Sequence, residues 1–207
     1  HDAKPGVLPS REWKRKHRRS AWFPGDSLNM GIGQGFMLTT PLQLAVGTTM
    51  LARKGRWVMP RLIRDSLPES QPTQALPADV TLQKPEYWDA VFEGMEAVMH
   101  ARKGTARTSA QGAGYHIAGK TGTAQVVAIP QGELYDEKKL AERHRDHGLF
   151  VGFAPVDEPR IALAVVVENG GGGSRAAAPV ARKVFDAWLV PESRLQTVTE
   201  EAVRAVP

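Results

Sequence analysis

The chain has 207 residues, of which 42% are hydrophobic, so it can bury a core and form one domain or most of one. Its net charge of +5 suits an anionic partner such as nucleic acid, a membrane surface or an acidic polymer, although charge bears on partners rather than on fold. Cysteine is absent, which excludes disulfides and thiolate chemistry. The longest aliphatic run, residues 161–167, is far shorter than the roughly 20 residues that span a bilayer, so no membrane-crossing helix is predicted.

The first part of the chain, residues 1–35, is rich in proline and glycine and has few periodic apolar positions, which predicts irregular structure with short pieces. Six basic residues of this part lie in or beside one run, at Arg11 and within residues 14–19. Such a run is typical of a solvated segment or of one that faces a polyanion. The chain starts at His1 without a charged and apolar leader, so we expect a mature or excised piece of a longer protein.

Two helices are predicted in the first half of the chain. The first begins at Pro41, with the hydroxyl of Thr40 as its cap, and extends towards Gly55. Because it is apolar on nearly all sides, we expect it to be buried. The second begins at Pro85 and ends near Gly104, which is available for a left-handed cap. Its aromatic and apolar residues recur at spacings of three and four, which indicates core packing rather than a cofactor site.

Strands are predicted where β-branched and aromatic residues cluster. Residues 57–63 are interpreted as a strand, and residues 68–77, rich in proline, serine and glutamine, as a loop. Three further strands are predicted after the second helix, at residues 120–128, 148–156 and 160–168.

The last two strands are joined by residues 155–159, which are too few for a crossover helix and therefore predict an antiparallel hairpin. A charged excursion at residues 130–147, with a helical turn or two at 137–145, separates them from the first strand. A final helix is predicted over residues 176–189, and residues 191–207 are expected to form a mobile tail. The predicted fold class is therefore α+β, an antiparallel sheet flanked by helices.

The stretch from His116 to Val127 combines a lysine, two threonine hydroxyls and glycine with a β-branched second half. Two functions can be drawn from it. Gly114 to Thr121 spells the G-x-x-x-x-G-K-T of a nucleotide-binding P-loop, whereas Lys-Thr-Gly is a signature of penicillin-binding serine acyl-transferases. A P-loop requires a helix to begin at the lysine, but glycine, β-branched residues and Pro130 follow it, which disfavours the nucleotide hypothesis.

An acyl-transfer site needs a strand edge at this place. On such an edge the ammonium of Lys120 can lie beside a nucleophile, and the hydroxyl of Thr121 can face a substrate carboxylate. Gly122 lets the substrate backbone approach without a side chain in the way. The backbone N–H of Thr123 can point at a developing oxyanion. The residue types and their order therefore favour acyl transfer.

Further segments accompany this stretch in a fixed order. They are Arg-Glu-Trp-Lys at 11–14, Gly-Asp-Ser at 25–27, Gly-Ile-Gly-Gln-Gly at 31–35, Thr-Pro-Leu-Gln-Leu at 40–44, Gly-Lys-Thr-Gly-Thr-Ala-Gln at 119–125, Arg-Asp-His at 145–147 and Glu-Asn-Gly-Gly at 168–171. Their succession over about residues 10–190 resembles class B penicillin-binding proteins, in particular the elongation-specific group of Gram-negative bacteria. The resemblance implies the penicillin-binding transpeptidase or serine β-lactamase-like fold.

The resemblance also implies a periplasmic D,D-transpeptidase that cross-links peptidoglycan stem peptides ending in D-Ala-D-Ala and is acylated by β-lactams. It implies no cofactor, an N-terminal anchor in the inner membrane, and the glycan polymerase and scaffold proteins of the elongation complex as partners. Under it Lys120 and Thr123 are catalytic: Lys120 steers the substrate carboxylate, and the N–H of Thr123 is one of two oxyanion donors. Substrate binding falls to Lys120, Thr121, Gly122 and Thr123.

The family also needs Ser-x-x-Lys, which supplies the nucleophile and its base, and Ser-x-Asn. No serine in the sequence has a lysine three positions later. Ser27-Leu28-Asn29 spells the second motif, but it lies directly before Gly31, where the family has an ordinary loop, so we interpret it as a coincidence. We therefore expect residues 1–190 to be the C-terminal part of a transpeptidase domain whose serine lies upstream of His1, and the chain to be inactive alone.

Other candidate sites are weaker. His144, Asp146 and His147 are metal-ligand types at short spacing, yet without a distant further ligand they are interpreted as polar loop residues, and no metal site is predicted. His116, beside the motif strand, is interpreted as structural. A noncatalytic polyanion- or partner-binding module that uses the basic run at 14–19 remains an alternative function.

Overall fold

The computed structural model of the chain describes residues 5–61, 77–127, 136 and 140–190. These residues form six α-helices, three strands and a short 3₁₀ turn at Glu142–His144. In chain order the helices and strands are α1 (Arg11–Arg18), α2 (Pro24–Gly31), α3 (Pro41–Ala52), α4 (Glu86–His100), α5 (Arg107–Ala110), β1 (Ala118–Ala124), β2 (His147–Ala154), β3 (Ile161–Val167) and α6 (Gly173–Leu189). In the part of the chain that the structure describes, no helix is both long and apolar enough to cross a membrane.

The three strands form one antiparallel sheet in the order β1-β2-β3. Lys120 of β1 is paired with Val151 of β2, and Gly152 of β2 with Leu163 of β3. The predicted α+β class and the predicted hairpin between the last two strands are thus confirmed. The order leaves β1 as an edge strand within the described residues, which decides where the candidate site lies.

Both faces of the sheet are covered by helices. On one face α6 packs against β2 and β3, where Phe150 and Phe185 are fully buried. Phe153 lies three residues from Phe150 on the same strand and therefore points to the other face, where it packs with Ala52 of α3 and Met95 of α4. The aromatic stripe predicted on α4 is only partly core: Met95 is buried, but Tyr87 is 47% exposed.

The N-terminal part of the chain is more regular than predicted. Instead of irregular structure it contains two helices of eight residues each, α1 and α2. Its turn formers mark helix ends: Ser10 accepts a hydrogen bond from the N–H of Trp13 at the start of α1, and Pro24 begins α2. Gly33 and Gly35 follow α2 with φ of 74° and 79°, left-handed values that glycine adopts freely. The proline and glycine residues of this part therefore marked the ends of helices and not irregular structure.

The cap of α3 is confirmed, but its predicted burial is wrong. The hydroxyl of Thr40 accepts from the N–H of Gln43, and the side chain of Gln43 accepts from the N–H of Thr40. Only Thr48 and Ala52 of the helix are buried, whereas Leu42 is 56% exposed. α3 rests on β3 and β2, and a helix that packs on one side leaves its remaining apolar residues uncovered.

Two further local predictions are wrong. Residues 57–61 form no strand, because the N–H of Trp57 donates to the carboxylate of Asp79 (2.7 Å) and not to a neighbouring strand. α4 ends at His100, and Gly104 has no left-handed conformation; a Cβ at Gly104 would lie 2.4 Å from the carbonyl oxygen of Val98.

Some predictions fall on parts of the chain that are not described. Residues 62–63 of the predicted strand, the loop at 68–77 except its last residue, and the tail at 191–207 lie outside the described residues. The helical turn predicted at 137–145 is observed as the 3₁₀ turn, while 137–139 lie outside the described residues.

Candidate active site

The predicted site lies on β1, and its backbone identifies the open edge of the sheet. The carbonyl of Thr121 accepts from the ammonium of Lys120 (2.6 Å), and the carbonyl of Thr123 accepts from the side-chain amide of Gln34 (2.7 Å). Backbone polar groups of a strand point alternately to either side, so residues 121 and 123 direct both N–H and C=O away from β2. The N–H of Thr123 therefore faces the open edge, as an oxyanion donor must.

Lys120 lies at this edge with its side chain exposed. Its register places it opposite Val151, and its ammonium bends to the carbonyl of the next residue, Thr121. An ammonium has three N–H donors, and this bond uses one of them. The geometry therefore brings a positive charge beside the two outward-facing threonines, where a carboxylate could bind.

The hydroxyl of Thr121 has a partner that the sequence did not reveal. Thr105, in the turn between α4 and α5, places its Oγ1 3.1 Å from Oγ1 of Thr121, and either hydroxyl can donate. The pair is exposed, and it connects the site strand to the segment after α4. Threonine pairs carry no local sequence signal when the residues are 16 apart, so Thr105 was missed.

The two glycines of the strand differ in what requires them. A Cβ at Gly119 would lie 2.4 Å from Cζ of Phe150, so packing in the core demands glycine there. A Cβ at Gly122 would meet its nearest neighbour, Cβ of Leu149, at 3.4 Å, which is ordinary contact. The fold itself does not require glycine at 122, which agrees with its predicted role of leaving room for a substrate backbone.

Gln34 is the second residue that sequence reasoning missed. It lies between Gly33 and Gly35 in the segment after α2, 89 positions from Thr123, and its side-chain amide reaches the carbonyl of Thr123. The sequence showed Gly-Ile-Gly-Gln-Gly only as part of the resemblance and gave no partner for the glutamine. The two flanking glycines were the available signal that the chain turns sharply to present this side chain.

Asp146 and His147 hold the end of β1 and the start of β2. The carboxylate of Asp146 accepts from the N–H of Val126 (3.2 Å), and Nδ1 of His147 accepts from the N–H of Asn169 (2.9 Å). His144 lies in the 3₁₀ turn just before them. The contacts are those of loop anchors, and the described residues contain no group of three histidines and carboxylates arranged to hold a metal.

His116 lies just before β1 in a small histidine cluster. It contacts the carboxylate of Glu96 and stacks on His100 with ring centroids 4.9 Å apart. Nε2 of His100 accepts from the N–H of Ile117 (3.0 Å), so His100 must be neutral at this nitrogen. Burial lowers the pKa of His100, and the neighbouring His116 lowers it further. The cluster fixes the entry to β1 and contributes no group to the open edge.

The structure gives the two weaker motifs other roles. Ser27 lies on α2 and accepts a hydrogen bond from Nε1 of Trp22 (2.9 Å), while the carbonyl of Asn29 accepts from the N–H of Gln34. Lys120 and the residues after it form a strand and not a helix, so the helix N-terminus that a P-loop uses to hold phosphate is missing at this place. The nucleotide hypothesis is thereby excluded on geometry.

Comparison with known proteins gives a consistent result. The family model described as penicillin-binding protein transpeptidase domain matches residues 5–186. The peptidoglycan D,D-transpeptidase MrdA of Haemophilus influenzae is 40% identical over 185 residues, which are 88% of this chain and 28% of that protein. The chain thus spans less than a third of the length of this relative.

Solved structures show the same likeness. Pseudomonas aeruginosa PBP2, in a complex with WCK 5153, superposes with a TM-score of 0.76 at 49% identity, covering 90% of this chain and 39% of that one. Helicobacter pylori PBP2, in a complex with MreC, gives a TM-score of 0.72 at 31% identity, covering 88% of this chain and 30% of that one. With a family match across most of its length and a fold that agrees, the chain belongs to the penicillin-binding protein transpeptidase domain family.

Proposed function

We propose that residues 1–190 are the C-terminal part of the transpeptidase domain of a peptidoglycan D,D-transpeptidase that acts in cell elongation. The observation that carries the proposal is the open edge of β1, where Thr121 and Thr123 face outward beside the ammonium of Lys120. The nucleophilic serine and its lysine base belong to sequence upstream of His1. Residues 191–207 are proposed to lie outside the domain.

The open edge suits a peptide that ends in a carboxylate. Lys120 and the hydroxyls of Thr121 and Thr123 bind the terminal carboxylate of D-Ala-D-Ala, and the bare backbone at Gly122 lets the peptide approach. The scissile carbonyl then places its oxygen at the N–H of Thr123 and at a second donor from the upstream serine. A carboxylate thus sets the register, and two N–H groups stabilise the charge that develops on the oxygen.

The reaction balances without a cofactor. The serine oxygen forms a bond to the carbonyl carbon of the penultimate D-Ala, the bond to the nitrogen of the terminal D-Ala breaks, and the serine proton ends on that leaving amine. An amine of a second stem peptide then attacks the acyl-enzyme and regenerates the serine. A β-lactam follows the first half of this path, but its leaving nitrogen stays tethered to the acyl group, and the enzyme remains acylated.

Exposed apolar side chains support the proposal that further sequence completes the domain. Several large apolar residues of the N-terminal part are more than half exposed: Leu8, Phe23, Leu28, Ile32, Leu38 and Leu42. So many exposed large apolar side chains within residues 8–42 are what we expect of a segment that packs against another part of the protein.

Lys120→Ala tests the proposal in the full-length protein that contains this chain. We expect labelling of the serine by fluorescent penicillin to fall about 100-fold or more, because the substitution removes the charge beside the oxyanion site. Lys103→Ala, on an exposed lysine after α4, is the matched control and should label normally. Absence of labelling in the unsubstituted protein, or normal labelling of Lys120→Ala, would contradict the proposal.

Partners and location follow from the same assignment. The complex of the Helicobacter pylori relative with MreC supports a scaffold partner, and we further propose a glycan polymerase as a neighbour in the elongation complex. We place the protein in the periplasm, attached to the inner membrane by an N-terminal anchor. This location matches the peptidoglycan chemistry named for the Haemophilus influenzae relative.

A binding role for α1 is the second candidate function. Its basic side chains are exposed apart from that of Lys14, which pairs with Asp26 at 2.6 Å. The exposed remainder presents positive charge to solvent, as a polyanion- or partner-binding surface would. The penicillin assay separates the two candidates, because a full-length protein that never labels would favour the binding module.

A further inference from the structure

Gln34 makes a long-range contact that the proposed reaction does not yet use. Its side-chain amide donates to the carbonyl oxygen of Thr123 at 2.7 Å, from a segment 89 positions earlier in the chain. Thr123 is also the residue whose N–H is proposed to bind the oxyanion. The contact therefore comes from outside the sheet and ends on the reacting part of β1.

The segment that carries Gln34 is built as a short fixed turn. The backbone N–H of Gln34 donates to the carbonyl of Asn29 at 2.9 Å, and Gly33 and Gly35 on either side have left-handed φ values of 74° and 79°. The turn holds the backbone of Gln34 against the end of α2. Its side chain is then free to extend towards the strand.

Phe36, which follows Gly35, ties this turn to α1. Phe36 packs against Trp13 with ring centroids 5.6 Å apart, and the guanidinium of Arg18 lies 5.3 Å from the centre of the Phe36 ring. The turn is thus held at both ends, by α2 on one side and α1 on the other. A side chain on such a support can fix the position of a distant group.

The two peptide groups that flank Thr123 are held by different contacts. The peptide group before it, which contains the N–H of Thr123, is oriented by the pairing of Gly122 with Leu149 of β2. In the peptide group after it, the carbonyl of Thr123 points to the open edge, where the side-chain amide of Gln34 donates to it. The N–H of Ala124 belongs to this same peptide group and faces β2, where Ala124 is paired with His147, so β2 restrains the group from the sheet and Gln34 restrains it from the open edge.

We propose that Gln34 is a positioning residue for the oxyanion donor: its amide holds the carbonyl of Thr123 so that the N–H of the same residue keeps its angle to the substrate. This inference rests on the proposed acyl transfer. It assigns no contact with substrate to Gln34. A small change of angle at a preorganised donor lowers the rate of the chemical step more than it lowers binding.

Gln34→Glu tests the proposal in full-length protein, since glutamate keeps the shape but, when ionised, cannot donate a hydrogen bond. We expect the rate constant of acylation by fluorescent penicillin to fall about 10-fold, less than the loss of a whole oxyanion donor, with little change in the dissociation constant that precedes acylation. The bond is exposed, so the midpoint of thermal unfolding should stay nearly unchanged. Gln34→Lys retains a donor on a long side chain and should recover most of the rate.

A pH series supplies a readout that a purely structural role would not move. Protonation of the new carboxyl, near its ordinary pKa of about 4.3, restores an O–H donor to the carbonyl of Thr123. The acylation rate of Gln34→Glu relative to the unsubstituted protein should therefore rise as pH falls from 7 to 5. Gln111→Glu, on an exposed glutamine, adds the same charge elsewhere and should show neither the rate loss nor the pH trend.

The outcomes are distinct. An unsubstituted protein that never labels overturns the proposed function and this inference with it. Normal labelling of the unsubstituted protein with an equally fast Gln34→Glu overturns the positioning role alone. So does a slow Gln34→Glu whose relative rate is constant with pH, or a Gln34→Lys variant as slow as Gln34→Glu.

Discussion

The hydroxyl pair of Thr105 and Thr121 shows how a single side chain can orient a binding group. Thr121 is proposed to face a substrate carboxylate, and its rotamer is restrained by the Oγ1 of Thr105, 3.1 Å away. A carboxylate needs the threonine proton to point at it. Thr105 can accept no proton from Thr121 in that state and must itself donate, so the pair sets the direction of both hydroxyl groups.

Thr105→Val should therefore weaken noncovalent binding of penicillin in full-length protein. Valine has the shape of threonine without the hydroxyl, and loss of one hydrogen bond of about 1 kcal/mol should raise the dissociation constant before acylation about 5-fold. Rapid-mixing kinetics that separate binding from acylation measure this. Thr108→Val, at an exposed position on α5, is the control, and an unchanged dissociation constant for Thr105→Val would count against the proposed role of Thr121.

Residues of the site were predictable from sequence to the extent that their signal is local. Lys120, Thr121, Gly122 and Thr123 are consecutive, and their chemistry and strand propensity are read from one short stretch. Gln34 acts on the same strand from 89 positions away. A pairing over that distance depends on how the turn after α2 packs on the sheet, which no local pattern contains.

At the scale of elements, the start of α6 is fitted closely to the sheet. A Cβ at Gly173 would lie 2.1 Å from the carbonyl oxygen of Leu149 and 2.4 Å from that of Gly122. Backbone atoms of two paired strands cannot yield separately. The first turn of α6 therefore sets how closely the helix approaches the strand pair that carries the site.

Gly173→Ala should destabilise the full-length protein and slow its acylation together. Overpacking of this kind costs about 2 kcal/mol, and relief requires β1 and β2 to move. Gly172→Ala is a matched control, because a Cβ there would have no atom within 4 Å. Thermal unfolding with parallel penicillin labelling measures both effects; equal stability of the two variants would show that α6 can shift without cost.

A helix was located correctly where its cap and its periodicity agree. A strand was predicted wrongly where a side chain distant in sequence accepts the backbone hydrogen bond. The hydroxyl of Thr40 and the proline after it located α3 correctly, since a cap acts on its own helix. Trp57 was assigned to a strand on its β-branched and aromatic neighbours, but its N–H is satisfied by the carboxylate of Asp79. A competing side-chain acceptor 22 positions away is invisible to strand propensity.

At the scale of the whole molecule, the histidine cluster before β1 couples stability to pH. His100 has a lowered pKa because burial disfavours its charged form, with a further contribution from His116 and an opposing one from Glu96. The unfolded chain, with its histidine near the ordinary value of 6.5, then binds protons more readily than the folded chain. Stability is accordingly lost as pH falls from about 6.5 towards the lowered pKa, and it changes no further below it.

The midpoint of thermal unfolding of the full-length protein should therefore fall between pH 7 and pH 5. His100→Gln removes the titrating group but keeps an oxygen that can accept from the N–H of Ile117. We expect its unfolding midpoint to depend less on pH over the same interval. A variant with the same pH dependence as the unsubstituted protein would show that other groups cause the effect.

The arrangement of the molecule as a whole was only partly readable from sequence. The antiparallel hairpin followed from the short predicted connection at residues 155–159, which is too short for a crossover helix. The exposure of Leu42 did not, because an apolar helix indicates burial without saying which neighbour provides it. Within the described residues, α3 has the sheet on one side and apolar side chains uncovered elsewhere.

Within the described residues the outer edge of β1 pairs with no strand, and this bears on solubility. A bare strand edge can pair with the edge of another molecule and so nucleate aggregates, and proteins commonly place a lysine there to prevent it. Lys120 is exposed on that edge. We therefore expect the charge of Lys120, which is placed to meet a carboxylate, also to disfavour pairing of two molecules through this edge. A neutral residue at this position would remove both effects.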